Sequence, residues 1–198
     1  AESDFAEALK INSQFLWSYV QRAYMRSKNG DHISAIEDFD NAIRIDPKKD
    51  YLFNSRGFSK AQTGDYIGAI KDFSSTLSLD PNNEVAYTSR AYYKTQIGDF
   101  KGALSDYSAA IKIDPLKPEN YLSRASTNFN LGDYEQSKLD YEKVLEIGDD
   151  TQKLESVIYL IDNYLISNLS KVPEIIEKAK LLLNQSDNKE KETFLLYA

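Results

Sequence analysis

Residues 50–83 read DYLFNSRGFSKAQTGDYIGAIKDFSSTLSLDPNN, and residues 84–117 read EVAYTSRAYYKTQIGDFKGALSDYSAAIKIDPLK. Aligned at a spacing of 34 residues, both stretches have an aromatic residue three positions before an arginine, a Gly-Asp pair and an Asp-Pro pair. Most of these features recur once before and once after the two stretches. A fixed period of this length indicates an array of similar structural units packed side by side.

Several further positions stay in step in all four units. The Gly-Asp pairs are Gly30-Asp31, Gly64-Asp65, Gly98-Asp99 and Gly132-Asp133. A small residue follows at Ala35, Ala69, Ala103 and Ser137, and then an aromatic residue at Phe39, Phe73, Tyr107 and Tyr141. The triplets Ile45-Asp46-Pro47, Leu79-Asp80-Pro81 and Ile113-Asp114-Pro115 close the first three units.

These features predict two helices in each unit. The glycine readily adopts a positive φ and so ends the first helix, and the aspartate after it can cap the second helix. The second helix carries small, aromatic and aliphatic residues at helical spacing, which predicts a buried stripe. It ends at the Asp-Pro pair, because the residue before a proline disfavours the α conformation.

This pattern resembles the tetratricopeptide repeat, a helix–turn–helix unit of 34 residues with small residues at positions 8 and 20 and proline near position 32. In that register the repeat units are 16–49, 50–83, 84–117 and 118–151. All four units have arginine at position 7, where the family usually has leucine, and the fourth has Asp149 in place of the proline. The resemblance implies an all-α fold, a solenoid of antiparallel helix pairs in a right-handed superhelix.

The flanking segments can be read in the same register. Ala35, Asp38 and Phe39 shifted back by 34 positions fall on Ala1, Asp4 and Phe5, so residues 1–12 are predicted to be the second helix of a preceding partial repeat. Residues 152–198 are predicted to be a degenerate repeat and C-terminal helices, with apolar residues at helical spacing in 153–167 and again after Val172-Pro173. We therefore expect the chain to be a fragment of a longer repeat protein.

The composition argues against several classes of protein. Twenty-four Lys and Arg against 31 Asp and Glu give a net charge of −7, which does not favour nucleic acid as a partner. The chain has no cysteine and one histidine, which leaves no thiol nucleophile and no Cys-type or multi-histidine metal site. The sequence has no glycine-rich phosphate loop and no apolar run long enough for a membrane span. We expect neither catalysis nor a cofactor, and we assign a packing position to His32, whose equivalents are Tyr66, Phe100 and Tyr134.

Each repeated arginine is followed sixteen residues later by an aspartate, in the pairs Arg22–Asp38, Arg56–Asp72, Arg90–Asp106 and Arg124–Asp140. The arginines could form a basic row that binds a ligand. The interpretation we favour is an internal ion pair in every repeat, with the two charges within about 4 Å of each other. Such a pair fixes the register of the two helices more than it adds stability.

In tetratricopeptide proteins the first helices line a concave groove, at repeat positions 2, 5, 6, 9, 12 and 13. Aromatic rings among neutral polar residues at these positions suit a groove that takes up a peptide or a helix. The partner-binding candidates are Trp17, Tyr24, Tyr51, Asn54, Phe58, Thr88, Tyr92, Ser126 and Phe129. For the rings at position 9, Tyr24, Phe58 and Tyr92, the alternative is packing against the next repeat.

One branch of the family holds the acidic C-terminal tails of heat-shock chaperones with a clamp of lysine, asparagine and arginine side chains. In the first three units the clamp positions hold Val20, Tyr24, Ser55, Val85 and Ser89. One unit later they hold Asn54, Phe58, Ser89, Glu119 and Ser123. No cation stands at any of these positions, so a chaperone tail is not the expected partner.

The sequence therefore predicts a scaffold for protein–protein interaction, with a partner of apolar or mixed character in the groove. The alternative is a structural self-association module, in which the groove or the ends of the repeat array bind another copy. An enzyme ranks third, because no general acid, nucleophile or metal ligand can be placed.

Overall fold

The computed structural model describes residues 2–185, which form eleven α-helices and one short 3₁₀ helix, with no strand in that range. The helices are α1 (Glu2–Ile11), α2 (Leu16–Lys28), α3 (His32–Ile45), α4 (Asp50–Gln62), α5 (Tyr66–Leu79), α6 (Glu84–Gln96), α7 (Phe100–Ile113), α8 (Pro118–Asn130), α9 (Tyr134–Ile147), α10 (Asp150–Ser167) and α11 (Val172–Gln185). The 3₁₀ helix, Leu169–Lys171, lies between the last two. The predicted all-α fold of successive helix pairs is confirmed.

The helices keep the period of the sequence. The first helices of the four units begin at residues 16, 50, 84 and 118, and the second helices begin at 32, 66, 100 and 134. After α9 the pattern changes, because a two-residue linker, Gly148-Asp149, replaces the four-residue linkers of the earlier units. The helix predicted over 153–167 is thus part of a longer helix, α10. Helix bounds alone do not decide where one repeat ends, so the division into units stays a prediction.

The chain divides into two compact units, residues 1–106 and 107–198, at a point inside α7. The first unit has one core around Phe39 and Leu52 and another around Phe73 and Tyr93. The core of the second unit contains Tyr141, Leu154, Val157, Leu160, Tyr164 and Ile175. The small and aromatic residues predicted for the second helices are buried, including Ala103 and Tyr107 of α7, which lie outside these three clusters. The apolar residues of α10 are buried in the core of the second unit.

The turn between the two helices of each repeat has the predicted geometry. The four glycines have φ between 78° and 84°, a conformation that side chains with a Cβ rarely adopt. The next residue caps the second helix, as Asp65 does by accepting a hydrogen bond from the amide of Gly68. The helices end where predicted, since Asp46 and Asp80 have extended backbone before their prolines.

Small residues allow the two helices of a repeat to approach closely. Ala23, Ala91 and Ala125 are fully buried. At Gly57 a Cβ would lie 3.1 Å from the ring of Phe73, closer than most carbon atoms pack. The ring of the second helix therefore fills the space that the missing side chain leaves.

The predicted ion pair is present in all four repeats. Each arginine donates two hydrogen bonds to its aspartate, through Nε at 2.8–2.9 Å and Nη2 at 2.6–2.7 Å. The aspartate side chains are only 2–8% exposed. The hydrogen bonds to Asp38 and Asp140 raise the pKa of Arg22 and Arg124 above its ordinary value. The basic-row alternative is wrong, because the guanidinium groups face the buried carboxylates.

The structure adds two contacts that the sequence analysis missed. A second cation, four residues after the arginine, also binds the aspartate: Arg26 binds Asp38, Lys60 binds Asp72 and Lys94 binds Asp106, at 2.8–3.0 Å. The equivalent residue in the fourth repeat is Asn128. This second cation recurs at the repeat spacing, so it could have been found in the sequence.

The other contact links the second, third and fourth repeats each to the repeat before it. Nη1 of Arg56 donates to Asp40 at 2.6 Å, and Nη1 of Arg90 donates to Ser74 at 3.0 Å. Nη1 of Arg124 donates in the same way to Ser108 at 3.0 Å. The planar guanidinium thus connects three helices, and this suits arginine better than lysine because its donors point in fixed directions.

We expect Asp72→Asn to lower the free energy of unfolding by roughly 3–5 kcal/mol, because it leaves Arg56 and Lys60 without their buried anion. Urea unfolding followed by circular dichroism measures this. Glu37→Gln, an acid-to-amide change at an exposed position of α3, is the control and should change stability by no more than about 0.5 kcal/mol. Equal effects of the two substitutions would contradict the role given to the buried pair.

We expect Gly64→Ala to cost about 1–2 kcal/mol, the penalty for an ordinary residue in the left-handed region. The cost comes from the backbone alone, since an added Cβ at this position meets no atom within 4 Å. Gly64→Asn should cost less, because asparagine adopts this conformation more easily. The same urea titration tests both, and an equal loss for alanine and asparagine would be inconsistent with a backbone origin.

Candidate partner-binding site

Five aromatic side chains on the first helices of the first unit remain more than a third exposed. They are Trp17 and Tyr24 on α2, Tyr51 and Phe58 on α4, and Tyr92 on α6, with 37–55% of each residue accessible to solvent. All five come from the positions predicted to line the groove. Exposed aromatic rings at corresponding positions of neighbouring helices form an apolar surface that can bind a partner.

The rings at position 9 are held in place by other aromatic side chains. Tyr24 meets Phe39 edge-on at 5.5 Å between ring centroids, and Phe58 meets Phe73 edge-on at 5.1 Å. Phe39 and Phe73 belong to the second helix of the same repeat and are fully buried. The Tyr24 hydroxyl also contacts the next repeat, at 2.9 Å from Ser55 Oγ on α4.

The third ring at position 9, Tyr92, is held in place by its neighbour in the same helix. It meets its neighbour Tyr93 edge-on at 5.0 Å, and Tyr93 is stacked on Phe73 at 5.9 Å and on Tyr66 at 5.5 Å. Edge-on contacts of this kind contribute about 0.5–1.5 kcal/mol each beyond their buried area. The exposed rings are therefore oriented before any partner arrives, which lowers the entropy cost of binding.

A cleft with a volume of about 570 Å³ opens between α2 and the start of α4. Its lining residues are Gln14, Phe15, Leu16, Trp17, Val20, Gln21, Tyr24 and Tyr51, and none of them is charged. Trp17 is further supported by Phe5 of α1 at 5.4 Å and by Phe15 at 6.2 Å. Burial, and then the neighbouring Tyr24, raises the pKa of the Tyr51 hydroxyl, which stays a neutral donor at physiological pH.

Asn54 and Thr88, the polar candidates of the first unit, differ in their hydrogen bonding. Asn54 is half-buried on α4, and its Oδ1 atom is buried without a hydrogen-bond partner. An unpaired buried acceptor costs about 1–3 kcal/mol, which a side-chain rearrangement that gives it a donor would recover. The hydroxyl of Thr88 already donates to Glu84 Oε1 at 2.8 Å on the same helix.

The remaining two candidates lie in the second unit. Ser126 is exposed on α8, and Phe129 is half-buried and meets Tyr134 edge-on at 5.3 Å. Ile158 and Tyr159 on α10, which are not among the predicted candidates, are exposed at the turn that corresponds to Tyr92 and Tyr93 in α6. Tyr159 stacks on Tyr141 at 5.3 Å, as Tyr93 stacks on Phe73. The short linker before α10 shifts this pair by two positions, which hides it from a search at the 34-residue period.

Six cations of the first unit are engaged by buried aspartates. The cations of α2, α4 and α6 at positions 7 and 11 bind the aspartates of the second helices. The chaperone-clamp positions are occupied by neutral side chains in the first unit, and Val20 is buried. The surface around the rings can therefore recognise shape and apolar area better than charge.

Residues 2–185 also contain the single histidine of the chain and another cavity. That range contains no group of three His, Asp or Glu side chains placed to hold a metal ion. His32 is half-buried, with Nδ1 at 3.4 Å from Ser27 Oγ. A second cavity of about 440 Å³ lies in the second unit and includes the Lys171–Glu174 ion pair. Of the described helices, none combines the length and apolar character that crossing a bilayer demands.

Comparisons with known proteins identify the type of repeat in two segments of the chain. The sequence model of the tetratricopeptide repeat matches residues 18–49 and 118–148. No curated protein sequence matches the chain. Many solved structures do match it in fold.

Three of these structures illustrate the likeness. The crystal structure of MamA has 18% identity and a TM-score of 0.78, with 89% of this chain and 94% of that chain covered. YrrB, described as a TPR protein with an unusual peptide-binding site, has 17% identity and a TM-score of 0.77, with 92% and 93% covered. The first TPR of Spaghetti (RPAP3), bound to the HSP90 peptide SRMEEVD, has 28% identity and a TM-score of 0.55, with 61% and 94% covered.

At these identities the MamA and YrrB structures show the fold and not a shared ligand. The family match covers two segments that coincide with the helix pairs α2–α3 and α8–α9. The same helix spacing, turn glycines and buried small residues occur in the repeats between them. Two segments of the chain therefore match the tetratricopeptide repeat, and its successive helix pairs have the fold of tetratricopeptide repeat proteins.

Proposed function

We propose that this protein is a scaffold for protein–protein interaction, and that its first unit binds a partner peptide or helix across α2, α4 and α6. The observation that carries the proposal is the set of five exposed rings, Trp17, Tyr24, Tyr51, Phe58 and Tyr92. Rigid aromatic side chains bury a large area at a low cost in side-chain entropy, and they dominate the energetics of many interfaces.

The partner's binding segment is apolar or mixed in character. The cleft beside Trp17 has no charged lining residue, and the nearby cations are bound to buried aspartates. A strongly charged segment would lose water without gaining an ion pair, which is unfavourable. Bulky apolar side chains would bury area against the rings, at about 25 cal/mol for each Å².

Asn54 supplies the polar part of the proposed recognition. When its half-buried side chain rotates toward the surface, the Oδ1 atom can accept a hydrogen bond from a backbone or side-chain N–H of the partner. Tyr51 and Phe58 stand three and four residues away on α4, so their side chains share a face of the helix with Asn54. The proposed partner combines a bulky apolar anchor with one well-placed donor.

Ser126 and Phe129 are proposed to contribute to binding in the second unit in the same manner. Exposed Ile158 and Tyr159 of α10 extend the apolar area available there. Thr88 is proposed as a contact residue on α6, next to the ring of Tyr92 in the helical register.

The proposed role is binding without catalysis. The buried carboxylates of the four repeats are engaged by the cations of the same repeats, so they are unsuited to act as general acids or bases. The likeness to YrrB and RPAP3, whose structures concern peptide binding, supports a peptide as the ligand class. The HSP90 peptide of RPAP3 is acidic, and the proposed surface of this protein offers no cationic clamp for it.

Self-association is the second candidate function, favoured by the same exposed rings together with Ile11, which is 84% exposed. Sedimentation velocity at several protein concentrations separates the two functions. A monomer at all concentrations supports a heterologous partner. Association that is lost in Tyr51→Ala or Tyr92→Ala supports self-binding through the rings.

We expect peptides selected from a random display library on this protein to be rich in bulky apolar residues. Each of three substitutions, Tyr51→Ala, Asn54→Ala and Tyr92→Ala, should weaken the binding of a selected peptide by about 1–3 kcal/mol. This is the usual cost of removing an interface anchor. Isothermal titration calorimetry measures the affinities, and circular dichroism confirms that the variants stay folded. The control Ile67→Ala removes an apolar side chain that is 61% exposed on α5 and should leave the affinity unchanged.

Salt provides an independent check of the same proposal. The affinity of the selected peptide should change little between low and moderate ionic strength, because salt screens charge pairs and hardly affects apolar burial. The peptide SRMEEVD should show no measurable binding. Tight, salt-sensitive binding of SRMEEVD would place the site elsewhere on the protein. Unchanged affinity of the selected peptide for all three alanine variants would do the same.

A further inference from the structure

The cavity of about 440 Å³ in the second unit, here called the Glu142 cavity, is bounded by α9, α10 and α11. Its lining includes Glu142 and Leu145 of α9, Tyr164 of α10 and Ile175 of α11. Tyr164 and Ile175 belong to the core of the unit, and Leu145 packs against that core. The volume is within the range of about 300–1,000 Å³ that is usual for ligand pockets, so the cavity can take up a large side chain of a partner.

Glu142 occupies a repeat position that binds an arginine in the earlier repeats. The 34-residue period relates it to Asp40, Ser74 and Ser108. Each of these three side chains accepts a hydrogen bond from Nη1 of the arginine in the following repeat, at 2.6–3.0 Å. Like Asp40, Glu142 is a carboxylate, and hydrogen bonds between ionised groups are stronger than those to a neutral hydroxyl.

The arginine that would bind Glu142 is absent from α10. In α6 the repeated arginine, Arg90, stands two residues before Tyr92. Ile158 of α10 corresponds to Tyr92, and the residue two positions before Ile158 is Ser156. Ser156 is fully buried, and its Oγ atom has no hydrogen-bond partner. Helix α9 therefore keeps the acceptor of the contact between repeats, while the helix after it has lost the donor.

The hydroxyl of Tyr164 supports the Glu142 carboxylate. It donates a hydrogen bond to Glu142 Oε1 at 3.2 Å. Burial, and then the negative charge of Glu142, raises the pKa of Tyr164, so its hydroxyl stays a neutral donor at physiological pH. The phenolic oxygen can also accept a hydrogen bond. A guanidinium in the cavity would thus have a carboxylate and a phenol as neighbouring acceptors.

The other charges that line the cavity balance one another. The ion pairs are Glu146 with Lys143 at 2.6 Å and Glu174 with Lys171 at 2.8 Å. These two lysines, and then the charge of Lys178, lower the pKa of Glu146 and Glu174. Glu142 is the lining carboxylate for which residues 2–185 provide no ion-pair partner.

We propose that the Glu142 cavity binds an arginine side chain of a partner protein. A planar guanidinium can donate two parallel hydrogen bonds to the carboxylate of Glu142, which the ammonium group of lysine cannot do. The methylene stem of the arginine packs against Leu145 and Ile175, as the stems of long cationic side chains do on apolar surface. The site goes beyond the proposed function, because it lies in the second unit and uses none of the exposed rings of the first unit.

Nuclear magnetic resonance of the full chain tests this inference with the pentapeptide AARAA, acetylated at its N-terminus and amidated at its C-terminus. The arginine is then the single charge of the peptide. Titration should shift the backbone amide resonances around Glu142, Tyr164 and Ile175 in a saturable manner. The same peptide with citrulline, a neutral isostere of arginine, should bind at least about tenfold more weakly, because it lacks the charge-assisted hydrogen bonds. The lysine peptide should also bind more weakly than the arginine peptide.

Matched variants locate the contact. Glu142→Gln should weaken the arginine peptide at least about tenfold, because it removes the charge and keeps the shape of the side chain. Glu142→Lys should abolish binding. Glu155→Gln, an acid-to-amide change at an exposed position of α10 outside the cavity, is the control and should leave the affinity unchanged. Circular dichroism confirms that the three variants are folded.

Several results would overturn the inference. They are the absence of any response to AARAA, equal binding of the arginine and citrulline peptides, and unchanged affinity in Glu142→Gln. Resonance shifts confined to residues outside α9, α10 and α11 would overturn it as well. The display-library peptides test the rings of the first unit separately. If those peptides bind as expected and AARAA does not, the scaffold function stands and this inference alone fails.

Discussion

The ion pair between the arginine of each first helix and the aspartate of each second helix is the constraint on which the repeats depend. Both groups are removed from water, and a buried charge is tolerated only when it is paired and hydrogen-bonded. Two parallel hydrogen bonds from a planar guanidinium allow one register of the two helices and no other. The third nitrogen reaches the preceding repeat, as in the contact of Arg56 with Asp40, so the same group also sets the register between repeats.

This arrangement determines the character of the opposite surface. Because the cations at positions 7 and 11 bind aspartates between the helices, they are not available on the face that carries the exposed rings. The buried rings Phe39 and Phe73 fill the space that small residues leave, and they support Tyr24 and Phe58 from behind. The repeat core and the proposed binding surface are thus two sides of one packing arrangement.

Much of the fold and part of the candidate site could be predicted from the sequence. The turn glycines, capping aspartates and Asp-Pro stops act on neighbouring residues, so the helix bounds of the four repeats follow from local rules. The pairing of Arg22 with Asp38 was also accessible, since a period of 34 residues places the two on facing helices. The exposed pair of Ile158 and Tyr159 could not be predicted in this way, because a linker shorter by two residues moves α10 out of that register. The second cation of each ion-pair cluster, four residues after the arginine, recurs in the sequence at the repeat spacing. Its role became evident only from its distance to the aspartate in the structure.

The sequence by itself determined the repeat length, the helix pairs and the small and aromatic residues that pack between them, because each depends on spacing along the chain. The tertiary structure alone decided which rings stay accessible and which polar atoms lack a partner. Tyr92 and Tyr93 are adjacent in sequence, yet one is half exposed and the other is stacked between Tyr66 and Phe73. The unpaired Oδ1 of Asn54 likewise follows from what surrounds it in space. Burial depends on side chains brought from distant parts of the chain, and no local pattern records that.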